Sequence, residues 1–187
     1  INLLNEAGKY NEAEARLIQL SERIDDSDDD DNYKINYELA SIYSKTGKYN
    51  LGIFHGNIAL RQIVKKNGWD DIITAGILTI IGNNYDGIAD YDKAIEYHKK
   101  SLDIKLKILG EEHSDVAISY NNIGSAYNSK GEYDKAMEYH KKSLDIMLKM
   151  LGSEHPNVAG SYNNLGSAYD SKGEYDKAME YHKKSLD

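Results

Sequence analysis

One unit recurs along this chain, and the recurrence constrains its fold more than any other feature. Residues 117–145 read AISYNNIGSAYNSKGEYDKAMEYHKKSLD, and residues 159–187 read AGSYNNLGSAYDSKGEYDKAMEYHKKSLD. The two differ at three places, Ile118/Gly160, Ile123/Leu165 and Asn128/Asp170, and the offset is 42 residues. The same spacing sets Tyr91 (YDKAIEYHKKSLD) opposite Tyr133 and Tyr175, with Tyr49 another 42 residues earlier. Tyr10, in GKYNEA, lies 39 residues before Tyr49. Five copies are therefore legible. A unit of this length is one supersecondary element that cannot bury its own apolar face, so each copy must stack on its neighbours.

Each copy reads as two helices. In the fourth, Tyr120, Ile123, Gly124 and Tyr127 fall at i, i+3, i+4 and i+7, one stripe of a helix. Gly131 is placed to end that helix in the left-handed C′ position. Asp134 offers an N-cap carboxylate to a second helix carrying Ala136, Leu144, Met147 and Leu148. Leu151 and Gly152 end it, and Pro156, the single proline, sits where a first helical turn tolerates one. The expected fold class is all-α, a single domain of antiparallel helix-turn-helix repeats at about 1–27, 33–68, 71–110, 114–152 and 156–187. Ile1 is not preceded by Met or a signal-type segment, so a piece of a longer chain is expected.

Gly124, Tyr127, Gly131, Tyr133 and Ala136 reproduce a small residue, an aromatic, a turn glycine, a tyrosine and a second small residue. Gly166, Tyr169, Gly173, Tyr175 and Ala178 repeat the series, and Ala40, Tyr43, Gly47 and Tyr49 repeat most of it. This pattern resembles the tetratricopeptide repeat. The 42-residue period and the linkers LGEEHSDVA and LGSEHPNVA, each followed by SYNN, resemble the kinesin-light-chain type of that repeat. The resemblance implies a right-handed α-solenoid (superhelix) whose first helices line a concave groove that binds a peptide or partner protein. In physical terms, Gly124 and Ala136 are expected to let two helix backbones approach while tyrosines fill the space between.

If the Tyr120 stripe faces inward, the opposite side of that helix shows Asn121, Asn122, Ser125, Asn128 and Ser129. The fifth copy shows Asn163, Asn164, Ser167, Asp170 and Ser171. Amide side chains both donate and accept, which suits the backbone of an extended peptide, although a solvated helix face needs the same residues. The resemblance singles out Asn122 and Asn164 as ligand-holding positions. It also implies that a carboxylate-gripping clamp would need Lys or Arg where Ile118, Gly160, Ser125 and Ser167 stand, so that specificity is not expected. In the third copy ILTIIGNNY aligns with SYNNIGSAY, which puts Ile77 at the Ser119 place and Ile80 at the Asn122 place. The helix over 71–86 is then apolar nearly all round. It is either buried on two sides or offers Ile80 as an anchor for a ligand side chain. Trp69, the only Trp, is expected to pack, with a binding anchor as the alternative.

Composition narrows the rest. Six aspartates lie in Asp25–Asp31, and setting them aside from the net charge of −8 leaves −2. No basic stripe exists to neutralise phosphates, so nucleic acid is not an expected partner. The Asp-rich run lacks the glycine and terminal glutamate of a calcium loop and reads as a solvated connection. His98, His140 and His182 recur through the repeat, as do His113 and His155, and repetition accounts for them without a metal. Gly52 and Gly56 read as marking close helix packing or a softer segment. With no Cys, no apolar run of membrane length and no catalytic motif, a cytoplasmic, non-enzymatic protein without cofactor or membrane partner is expected. Two alternatives stand beside peptide binding: self-association through uncapped terminal repeats, and a sensing segment of a larger signalling protein.

Overall fold

The structure, a computed structural model, describes residues 2–23 and 32–186. The Asp25–Asp31 connection lies outside the described residues. Among the described residues there are nine helices and no strand: α1 (Asn2–Arg23), α2 (Asn32–Lys45), α3 (Tyr49–Asn67), α4 (Ile72–Gly87), α5 (Tyr91–Leu109), α6 (Ser114–Lys130), α7 (Tyr133–Leu151), α8 (Pro156–Lys172) and α9 (Tyr175–Lys184). They fall into two compact units, 1–90 and 91–187. In the first unit α1 lies on α2, α2 and α3 form a hairpin, and α4 packs on both. In the second, α5 packs on α6, α6 on α7, α7 on α8, and α8 on α9. No helix among the described residues is long and apolar enough to cross a membrane.

The turn glycine does what its spacing predicts. Gly131 has φ 84° and ψ 8°, and Gly173 has φ 85° and ψ 12°. The amides of Gly131 and Glu132 close back on the carbonyls of Asn128 and Tyr127 at 3.0 and 2.9 Å, satisfying the last acceptors of α6. Ala89 holds this place in the third copy at φ 60°, with the same closure onto Asp86 and Tyr85. A side chain there is strained, because its Cβ crowds the following carbonyl.

The caps differ from expectation. Asp134 is not the N-cap of α7. That place belongs to Glu132, whose side chain makes no capping bond, and Asp134 instead receives a 2.6 Å ion pair from Lys172 of α8. A helix starting at Tyr133 leaves Asp134 inside the first turn, where the carboxylate still meets the positive end of the helix. Asp71 is the carboxylate that caps, accepting from the amides of Ile73 and Thr74 at the head of α4. His113 and His155 are caps as well: their Nδ1 atoms accept from the amides of Asp115 and Asn157, each at 3.1 Å. Pro156 opens α8, as its missing N–H allows.

Small residues are set against specific large ones. A Cβ on Gly124 would come within 2.9 Å of the His140 ring, and one on Gly166 within 2.8 Å of His182. The glycine thus makes room for an imidazole from the second helix rather than for tyrosines. In the second copy the sizes are exchanged: Ala40 stands at the Gly124 place and Gly56 at the His140 place, with Ile81 of α4 over Gly56. Gly52 likewise faces Asn84, whose amide donates to the Ile80 carbonyl at 2.8 Å. Gly52 and Gly56 are close-packing positions, as read. The tyrosines serve elsewhere. Tyr127 stacks on Tyr139 at 5.5 Å and Tyr169 on Tyr181 at 5.3 Å, with Lys99 and Lys141 over Tyr127 and Tyr169 respectively. Tyr10 is not at a turn, since α1 runs unbroken through Gly8 and Tyr10 and keeps their backbone groups in helical hydrogen bonds. Trp69 is 55% exposed, so the packing expected of it is not seen. It follows Gly68, whose φ of 83° turns the chain at the end of α3.

Candidate functional site

The candidate surface lies on the first helices, and its composition follows from which stripe is buried. On α6, Val116, Ile123, Ala126 and Tyr127 are buried, which turns Ile118, Asn122, Ser125 and Ser129 outward at i, i+4, i+7 and i+11. On α8, burial of Val158, Leu165, Ala168 and Tyr169 turns out Gly160, Asn163, Ser167, Asp170 and Ser171. The two helices meet along a seam that is polar. Asn164 donates to Asn121 Oδ1 at 2.8 Å, and the same oxygen lies 3.0 Å from His140 Nδ1. Because an amide oxygen only accepts, His140 carries its proton on Nδ1. One repeat on, His182 Nδ1 lies 2.8 Å from Asn163 Oδ1 and its Nε2 3.0 Å from Asp170 Oδ2.

The expected ladder is therefore divided between outward-facing residues and residues engaged in the fold. Asn121, Asn163 and Asn164 are engaged within the fold, and Asp170 is tied to His182. Ser167 and Ser171 donate to the carbonyls of Asn163 and Ser167 on their own helix, which leaves their oxygens to accept. Ser125 and Ser129 are exposed. Asn128 is half-buried, its Oδ1 enclosed without a partner among the described residues. Asn122 is half-buried, and among the described residues its amide is committed to no other side chain. Beside it Ile118 is 45% exposed, and a Cβ on Gly160 would meet nothing within 4 Å.

In the first unit the same places hold different chemistry. Tyr37 stands where Asn121 does and Ile80 where Asn164 does. Ile77 is fully buried and Ile80 half-buried, so packing accounts for the first and only part of the second. The opening between α2 and α4 lies nearer the helix N-termini: a mainly apolar cleft of about 350 Å³ lined by Tyr33, Tyr37, Ile72, Ile73 and Gly76, with Lys34 and Glu38. Burial, followed by the charge of Glu38, raises the Tyr37 phenol above its ordinary pKa, so its hydroxyl stays protonated as a donor.

The histidines were legible as a repeat but not as partners of the asparagines. The available signal was a fixed 19-residue separation, Asn121 to His140 and Asn163 to His182, combined with a glycine three positions after each Asn. Burial pushes the His140 imidazole down to about 4, so it is neutral near pH 7. Buried Lys105, whose pKa burial also lowers, reaches Ser119 Oγ on α6 at 3.0 Å; the equivalent residues one repeat on are Met147 and Ser161. Among the described residues no group of three or more His, Cys, Asp or Glu is placed to hold a metal ion. What the surface offers chemically is donors, acceptors and small apolar contacts, with the Asp170 carboxylate among them.

Known proteins with the same fold place this surface in context. BtubC (BKLC) from P. vanneervenii aligns at a TM-score of 0.83 and 22% identity, over 99% of this chain and 75% of that one. The kinesin-light-chain-type, nearly identical TPR-like repeats from Podosopora anserina align at 0.82 and 22% identity, over 97% of this chain and 87% of theirs. A Rap protein solved in complex with competence and sporulation factor aligns at 0.75 and 20% identity, over 97% of this chain and 49% of its own. These likenesses show the fold, an all-α helical-repeat solenoid. No curated protein sequence matches significantly. The tetratricopeptide repeat model matches residues 89–149 and 115–187. With more than half of its length matched, the chain belongs to the tetratricopeptide repeat family.

Proposed function

We propose that this protein is a non-catalytic protein-interaction scaffold that holds an extended segment of a partner against the exposed faces of its first helices. The observation that carries the reading is Asn122, an uncommitted amide on a stripe with Ile118, Ser125 and Ser129. Such an amide can pair with both groups of a peptide unit, while Ile118 and the open space at Gly160 accept a small apolar side chain. The neutral stripe favours partners that present backbone and uncharged side chains. The Rap protein's complex with competence and sporulation factor lends support by analogy.

The test is binding to a random-sequence peptide array, comparing wild type with Asn122→Ala. Loss of most of the captured set, with unchanged circular dichroism and melting, is the expected outcome; an unchanged set contradicts the reading. Asn164→Ala is a different experiment, because it removes the bond to Asn121 and is expected to lower stability by about 1 kcal/mol.

A second reading is self-association. Met179 on α9 and Leu186 just past it are 65% and 87% exposed, whereas their counterparts Met137 and Leu144 on α7 are 7% and 6% exposed. Light scattering over a concentration range separates the two readings: a monomer at every concentration counts against this one.

A further inference from the structure

The outward side of α3 breaks the rule that α5, α7 and α9 keep. On α7 the solvent-facing places are Lys135, Glu138, Lys142 and Asp145, all exposed, with Lys142 paired to Glu138 at 2.7 Å. The third and fifth copies repeat that pairing with Lys100–Glu96 and Lys184–Glu180, each at 2.6 Å. In the second copy the same four places are Leu51, Phe54, Ile58 and Arg61. Leu51 is 45% exposed, Ile58 half-buried, and Phe54, the only Phe of the chain, 59% exposed. A Lys–Glu–Lys–Asp stripe has become Leu–Phe–Ile–Arg. The first three changes replace ion-pairing residues with apolar ones, and the fourth reverses the sign of the charge.

Charge reinforces the pattern along the whole element. Between Tyr49 and Asn67, α3 has no acidic residue, and Arg61 and Lys65 continue the Leu51–Phe54–Ile58 stripe towards its C-terminus. Apolar side chains held in water at these spacings, followed by basic ones, match an amphipathic segment with apolar residues at one end and carboxylates at the other. We infer that the outer face of α3 is a docking surface for an acidic, amphipathic segment of a partner protein, with Phe54 as the central anchor and Arg61 as the charge contact. This surface is on a second helix and is independent of the first-helix stripe proposed above.

The test uses the whole chain and a fluorescein-labelled amphipathic helical peptide made of Glu and Leu. Its Lys/Leu counterpart and vesicles containing phosphatidylserine serve as competing probes. The variant Leu51→Lys, Phe54→Glu, Ile58→Lys writes the stripe of the fourth copy onto α3, and circular dichroism and melting check that it folds. Arg61→Asp, likewise borrowed from that copy, is the second variant, for use if the triple variant unfolds. Binding of the Glu/Leu peptide, weakened about tenfold or more by either variant, is the expected result. Four outcomes overturn the inference: no binding of that peptide, equal binding by a folded variant, preference for the Lys/Leu peptide, or preference for the vesicles. A dimer of the wild type that the triple variant dissociates also overturns it, by making a second copy the occupant.

Discussion

His140 and Gly124 show how far a residue's meaning depends on a partner from another helix. The glycine reads in the sequence as a place for close approach, and that much holds. What approaches is an imidazole 16 positions on, and helical periodicity within α6 carries no information about which α7 side chain arrives there. Burial holds this imidazole down to about 4, whereas in the unfolded chain it takes a proton near 6.5. Between those values the unfolded chain binds more protons, so stability rises with pH. The contribution is full above about 6.5, falls on acidification and is spent near 4. The expected loss is on the order of 2 kcal/mol, read as a lower urea midpoint at pH 4.5 than at pH 7. His140→Gln keeps a donor for Asn121 Oδ1 without the titration and should flatten the dependence. Equal slopes in the two proteins would refute this account. The carboxylates act lower on the scale: hydrogen bonds from Lys130 and Lys172 hold Glu132 and Glu174 at about 2.

Within single elements, local chemistry was legible where the backbone itself is the constraint. Gly131 and Gly173 sit in the left-handed turn and Pro156 at a helix start, because φ sterics and a missing N–H act regardless of neighbours. The start of α7 was misplaced by two residues, since composition favours Asp134 as the cap, whereas Glu132 holds that place without a side-chain capping bond and Glu174 does the same at the identical start of α9. Ala89 departs from the turn rule, and its φ of 60° gives a direct test. Ala89→Gly should raise stability by about 0.5–1 kcal/mol in urea unfolding, relieving the crowded Cβ at some cost in chain entropy. A lower midpoint would show that the methyl makes contacts worth more than the strain. Asp71→Ala removes the two amide bonds at the head of α4 and should lower stability by about 1 kcal/mol.

At the scale of the whole molecule, repetition creates an internal control. Residues 133–142 and 175–184 are identical in sequence, YDKAMEYHKK, but α7 is packed on both α6 and α8 whereas α9 packs on α8. Propensity and intrinsic exchange chemistry are therefore matched, and only packing differs. Native-state hydrogen exchange should protect the α7 amides about tenfold or more over their α9 counterparts. Equal protection would mean that local helix propensity, not stacking, holds these segments. The repeated half of the chain was legible because each copy vouches for the next. The outer stripe of α3 was not, because it is an exception visible only when each residue is compared with its equivalents and its exposure is known.

The near-identity of the fourth and fifth copies also bears on how the array can change its length. Asn121, His140 and Asn164 join one copy to the next through residues both copies possess, and Asn163 and His182 repeat the Asn–His contact. A gene that lost or duplicated 42 codons at this point would rejoin a surface that already fits. Such a protein would gain or shed a stretch of first-helix surface in one event, without needing a new packing interface to evolve.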